Sequence, residues 1–118
     1  MEMYRFDAEV GRAMDRFESS GFVISGVLHL SREAIVNCAF LAPGGLIGYH
    51  QAAVPQLLMV VQGAGWVRSD SAERIPIHAG QAAFWKQGEW HESGTDNGMS
   101  AVIIESSRLE PSEFMPAL

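Results

Sequence analysis

Cysteine occurs once in these 118 residues, at Cys38, so no disulfide can form within the chain. Its neighbours Ile35, Val36, Ala39, Phe40 and Leu41 are apolar, and the expectation is a buried structural thiol. Basic residues are also scarce. Eight Lys and Arg stand against fourteen Asp and Glu, for a net charge of −6 and a pI near 5.0. Spread from Arg5 to Arg108, they form no basic footprint, which argues against a nucleic-acid partner. Long apolar runs are missing too. The longest aliphatic run, Leu57 to Val61, is far short of the roughly 20 residues of a membrane helix. Residues 1–20 carry charges at Glu2, Arg5, Asp7, Glu9, Arg12, Asp15, Arg16 and Glu18, a pattern unlike a signal peptide. A cytoplasmic protein without a membrane partner is the expectation. The chain contains no G-x-S-x-G, phosphate loop, H-E-x-x-H or C-x-x-C. Gly94 to Gly98 reads as a turn cluster, because no strand-to-helix context follows it.

What the chain does have is turns. Twelve Gly, five Pro, a hydrophobic fraction of 47% and a mean hydropathy of +0.05 describe one small, turn-rich folded domain. Val10, Met14 and Phe17 follow a helical spacing after Asp7, a candidate N-cap, and Gly21 is a candidate stop. Residues 8–19 therefore read as a short amphipathic helix or irregular arm, weakened by Gly11. From there the pattern is β. Candidate strands span 22–29, 35–42, 46–50, 55–61, 64–69, 73–78, 82–85, 89–93 and 99–105. The breaks include Ser31-Arg32-Glu33, Pro43-Gly44-Gly45, Gly63, Ser69-Asp70-Ser71 and Ala79-Gly80. Many short strands with Gly/Pro turns point to an antiparallel sandwich or barrel. The expected organisation is an arm over 1–21, a barrel over 22–105 and a strap over 106–118. Leu57 to Val61 and Ala101 to Ile104 are apolar at both parities, so their outward faces need cover. The N-terminal arm or a second subunit could supply it, and a homodimer is expected.

Two motifs then stand in register. Gly44 is followed after five residues by His50; Ala52, Gln56 and Gly63 follow at fixed spacing. Gly80 leads to Lys86, Gly88, His91 and Thr95. The chain resembles the cupins, whose motifs are written G-x5-H-x-H-x3,4-E-x6-G and G-x5-P-x-G-x2-H-x3-N. The resemblance implies an all-β, cupin-type double-stranded β-helix (a jelly-roll-like barrel), here with a short N-terminal helical arm. Typical members hold Fe, Mn, Ni or Zn with three His and a Glu. This chain departs in two of those four places: Ala52 has no donor atom, and Gln56 replaces the carboxylate. Lys86 and Thr95 also replace the motif's Pro and Asn.

On a barrel strand, alternate side chains point inward, so His50 and position 52 share a face and Gln56 can join them. His91, near the same mouth, would complete a cluster. His50, Gln56 and His91 are the candidate metal ligands, for Zn, Fe, Ni or Mn. The alternative is two interior histidines bonded to each other, to Gln56 or to water. Three neutral ligands would leave an ion its full charge and favour a small carboxylate or enolisable ligand. Glu89 shares the parity of His91 and is a candidate general base or a solvated loop acid; Glu92 should point away, as should Tyr49 and Gln51. Trp66, Trp85 and Trp90 either line the pocket mouth or pack in the core. His29 and His78 read as surface or edge histidines. Two functions remain open: a metal-dependent enzyme of dioxygenase or isomerase type, or a metal-free module binding a small molecule.

Overall fold

The structure, a computed structural model, describes residues 4–5, 8–30, 33–70, 73–113 and 115–118, and of 27–30 the backbone alone. Among the described residues eight strands make one sheet: β1 (Arg12–Ala13), β2 (Ser20–Leu30), β3 (Ala34–Gln51), β4 (Gln56–Ser69), β5 (Ile75–His78), β6 (Ala82–Trp85), β7 (Trp90–Gly94) and β8 (Met99–Glu105). All pairings are antiparallel. The first half of β3 pairs with β8 and the second half with β7. β4 divides in the same way, its first half on β8 and its second on β7. The circuit β3–β8–β4–β7 therefore closes on itself, which removes the open edges of a flat sheet. The all-β barrel expected from the turn spacing is present.

Pro43-Gly44-Gly45 and Gly63 were expected to separate strands; both lie inside long ones. At each, the strand bends and changes partner. The register of β2 against β3 jumps between Phe22–Leu41 and Ser20–Leu46, and that of β4 against β8 between Val60 and Gln62. Gly63 sits at φ +79°, and a Cβ there would lie 2.3 Å from the Gly98 carbonyl oxygen. Only glycine fits such a bend without strain.

Strict alternation fills the barrel. Met99, Ala101 and Ile103 of β8, Ala39 and Leu41 of β3, and Leu58 and Val60 of β4 form one buried cluster with Phe22, Ile47, Val67, Ile77 and Trp85. Cys38 is buried, as expected, and burial raises its thiol pKa. Outward-facing Leu57 is covered as well. It lines a groove of about 580 Å³ with Pro111, Met115 and Leu118 of the C-terminal segment. That groove lies between the barrel and the C-terminal segment, whereas the arm lies on β2 and β3.

Among the described residues the arm holds no α-helix. Single 3-10 turns at Ala8–Val10 and Arg16–Glu18 flank β1, which pairs through Arg12 with Ile24 and Ala13 with Val23. So short a helix containing a glycine is marginal in water, while the free edge of β2 offers backbone hydrogen bonds. Gly11 permits the approach: a Cβ there would meet Val23 at 2.6 Å. The expected N-cap Asp7 and the turn residues Ser31, Arg32 and Ser71 lie outside the described residues, as does the His29 side chain. His78 is exposed, its Nδ1 hydrogen-bonded to the Ala79 carbonyl oxygen at 2.9 Å.

Candidate functional site

The end of β3 and the start of β7 place His50 directly opposite His91. Opposed residues on antiparallel strands share a face, and the two rings meet with centroids 4.3 Å apart and planes at 60°. At the same end, Gln56 begins β4 and is buried opposite Trp85 of β6. Trp85 in turn stacks on His91, centroids 4.5 Å apart and planes 21° from parallel. The three residues singled out as ligands thus gather at one mouth of the barrel, with Trp85 beneath them.

His91 is 1% exposed. Among the described residues neither of its ring nitrogens has a hydrogen-bond partner, although a buried imidazole ordinarily finds one. Burial, with the neighbouring His50, lowers its pKa to about 4. The nearby Glu89 carbonyl favours the charged ring weakly without forming a good hydrogen bond. The ring is therefore neutral at pH 7, with a lone pair free to accept. His50 differs. Its Nδ1 lies 2.7 Å from the Gly48 carbonyl oxygen; a carbonyl only accepts, so Nδ1 carries a proton, and in the neutral ring the lone pair is then on Nε2. A backbone carbonyl holding one ring nitrogen is the usual support of a metal-binding histidine.

The arm roofs this mouth. Phe17 lies flat on His50, with centroids 4.1 Å apart and planes within 5°, and the Arg16 guanidinium sits 4.9 Å above the Phe17 ring. Phe17 has a left-handed backbone, φ +58°. The Ser19 hydroxyl accepts the Gly48 N–H at 2.9 Å, tying the arm to β3. Between roof and barrel lies a cavity of about 180 Å³ lined by His50, Gln56, Arg16, Phe17, Asn37 and Glu105, among others. Arg16, Asn37 and Glu105 were not anticipated. Glu105 could have been found by continuing the β8 alternation two residues past Ile103.

Other expectations separate. None of Trp66, Trp85 and Trp90 lines this cavity. Trp66 carries Arg74 over its ring at 3.8 Å, and Trp90, 42% exposed, stacks on Tyr49 outside. Glu92 points away from the site, as expected, into an ion pair with Arg68 at 2.8 Å; Tyr49 and Gln51 are exposed. The Glu89 carboxylate accepts the Lys86 N–H at 3.1 Å and closes the turn there. Ala52 is buried, its backbone bonded to Gly88 and Glu89.

No protein-family model and no curated protein matches the chain. Solved structures do. A Cupin 2 conserved barrel domain protein from Salinispora arenicola superposes with a TM-score of 0.71 at 19% identity, covering 88% of this chain and 87% of that one. KdgF from a Halomonas species gives 0.71 at 18% identity, over 94% and 99% of the two chains. The polyketide cyclase RemF from Streptomyces resistomycificus gives 0.73 at 15% identity, over 91% and 81%. At such identities the likeness is one of fold, and the fold is the cupin barrel.

Proposed function

We propose that this cupin barrel binds a small carboxylate or enolisable compound at its mouth, with a divalent metal as the occupant of the polar end. His50, Gln56 and His91 would hold the ion. The observation that carries the reading is the buried His91 ring, both nitrogens without a hydrogen-bond partner among the described residues, set against a His50 ring held at Nδ1 by the Gly48 carbonyl with Nε2 left for an ion. An ion there would supply Lewis-acid polarisation of a bound oxygen. The chain's own part is to keep the buried His91 imidazole neutral, to present the Gln56 amide beside the two rings, and to cover His50 with Phe17.

The test is metal content of protein purified without a nickel column. About one equivalent of Zn, Fe, Ni or Mn is expected, lost in both His50→Ala and His91→Ala. A second reading, a metal-free binding module, has its own support: Ala52 and Gln56 supply no carboxylate or third imidazole. Among the described residues no group of three His, Cys, Asp or Glu is placed to hold an ion. Absence of metal after incubation with excess zinc, with retained ligand binding, selects that reading. Whether the bound compound is turned over or sensed is decided by product formation in the same protein.

The chain is further proposed to form a homodimer in the cytoplasm. Support comes from half-covered Val102, Ile104 and Met59, which continue an outward apolar face across β8 and β4. Sedimentation velocity at micromolar concentration would show a single dimeric species, and a monomer there overturns the proposal.

A further inference from the structure

The outer side of the sheet carries a broad face without charge, and assigning it an occupant rests on the homodimer proposed above. Ala39, Leu58, Val60, Ala101 and Ile103 turn into the barrel, so the residues between them turn outward. Register across β2, β3, β8, β4 and β6 aligns Ser25, Cys38, Val102, Met59 and Ala82 in one outward row. The next row towards the mouth holds Ile104 and Leu57. The row on the other side holds Phe40 and Ser100, with Val61 58% exposed at the bulge beside them. Among the described residues no side chain in these three rows is charged, although 19% of the chain is.

Five strands about 4.8 Å apart and five residues of about 3.4 Å make a face of roughly 24 by 17 Å in plan. Side-chain relief raises its accessible area towards the roughly 600 Å² per partner at which specific interfaces begin. The C-terminal segment reaches its edge at Leu57, Ala82 and Phe84. Charge then selects the occupant. Each copy of the chain carries −6, and this face offers nothing to pair with a charged partner. It does let two acidic copies meet where neither presents a charge, as in homodimers whose interface resembles a core cut in half.

We propose that two copies pack this face against itself, sheet on sheet, about a two-fold axis passing beside Val102. β8 is the middle of the five strands and Val102 lies in the middle row, so a two-fold pairing centred on the face sets Val102 against its own counterpart. Val61, at a corner, stays apart from its counterpart.

Sedimentation velocity and oxidative cross-linking test this. Wild-type protein is expected to be dimeric at micromolar concentration. Val102→Glu sets a charge at the centre of the face and should raise the dissociation constant at least about a hundredfold, with the β circular dichroism spectrum kept. In a Cys38→Ser background, Val102→Cys should form a disulfide-linked dimer under copper phenanthroline several-fold faster than Val61→Cys. The interface should tighten as salt rises from about 0.05 M to about 0.5 M, because screening relieves the repulsion of two acidic copies. A dimeric Val102→Glu, equal linking at the two positions, or an interface that salt weakens overturns this face; with a dimeric wild type, the homodimer then stands on another surface. Wild-type protein that stays monomeric sinks both. Should Val102→Glu fail to fold, the linking rates and the salt dependence decide.

Discussion

The Phe17 ring and the His50 imidazole lie face to face, 4.1 Å apart and within 5° of parallel, because position 48 has no side chain. A Cβ on Gly48 would sit 1.5 Å from the Phe17 carbonyl oxygen. Gly48→Ala must therefore push the arm off the barrel, losing the stack and the Ser19–Gly48 hydrogen bond together. A cost of about 1–3 kcal/mol is expected, read as a lower urea midpoint. Trypsin should cut after Arg16 faster in the variant. An unchanged midpoint and cutting rate would show that the arm does not rest on Gly48.

Removing the roof alone should expose His50 at little energetic cost. Phe17 is 46% exposed, so Phe17→Ala is expected to cost about 1 kcal/mol or less. Carbethoxylation of His50 by diethyl pyrocarbonate should rise several-fold, followed by mass spectrometry of the His50 peptide. The same rate in both proteins would mean that Phe17 does not cover the ring.

These arm contacts were not legible in the sequence, whereas the mouth they cover largely was. His50 and His91 could be paired because both stand at the histidine positions of the two motifs that carry the resemblance to cupins, and because alternation decides which parity faces inward. Gln56 followed by the same parity. Glu105 escaped because it lies ten residues beyond the second motif, and its place at the cavity depends on register with Gln56, which is a matter of pairing rather than spacing. The helical spacing of Val10, Met14 and Phe17 was real but was outweighed by the open edge of β2. Pro43-Gly44-Gly45 and Gly63 looked like turns because local composition marks a bend without saying whether the strand continues past it.

The acid stability of metal-free protein should carry the mark of His91. Its folded pKa is about 4, whereas an unfolded histidine takes up its proton near 6.5. Between those values the unfolded chain binds more protons than the folded one, so stability falls as pH falls. The stabilisation is fully present above about pH 6.5 and is lost by about pH 4, a total of about 3 kcal/mol. Urea midpoints in the presence of a chelator, compared with His91→Gln, isolate this contribution from that of the carboxylates. A variant whose acid profile parallels the wild type would show that His91 is not held neutral by its surroundings.

Position 52 offers the most direct test of the metal reading. The strand leading from His50 alternates its faces, and Ala52 is buried at 4% exposure beside the turn that carries Glu89. A histidine there would add a third imidazole on the face of His50 and His91, the donor that the chain's motif lacks. Imidazole binds Zn, Ni and Fe more strongly than a carboxamide does, so Ala52→His should tighten zinc by about tenfold or more. Competition against a chromophoric chelator measures this. Ala52→Gln, similar in bulk, controls for crowding: if only the histidine variant gains affinity while both unfold at similar temperatures, the new ring is a ligand. Folded Ala52→His protein that holds zinc no better than the wild type would place position 52 off the shared face and would remove the case for an ion between His50 and His91.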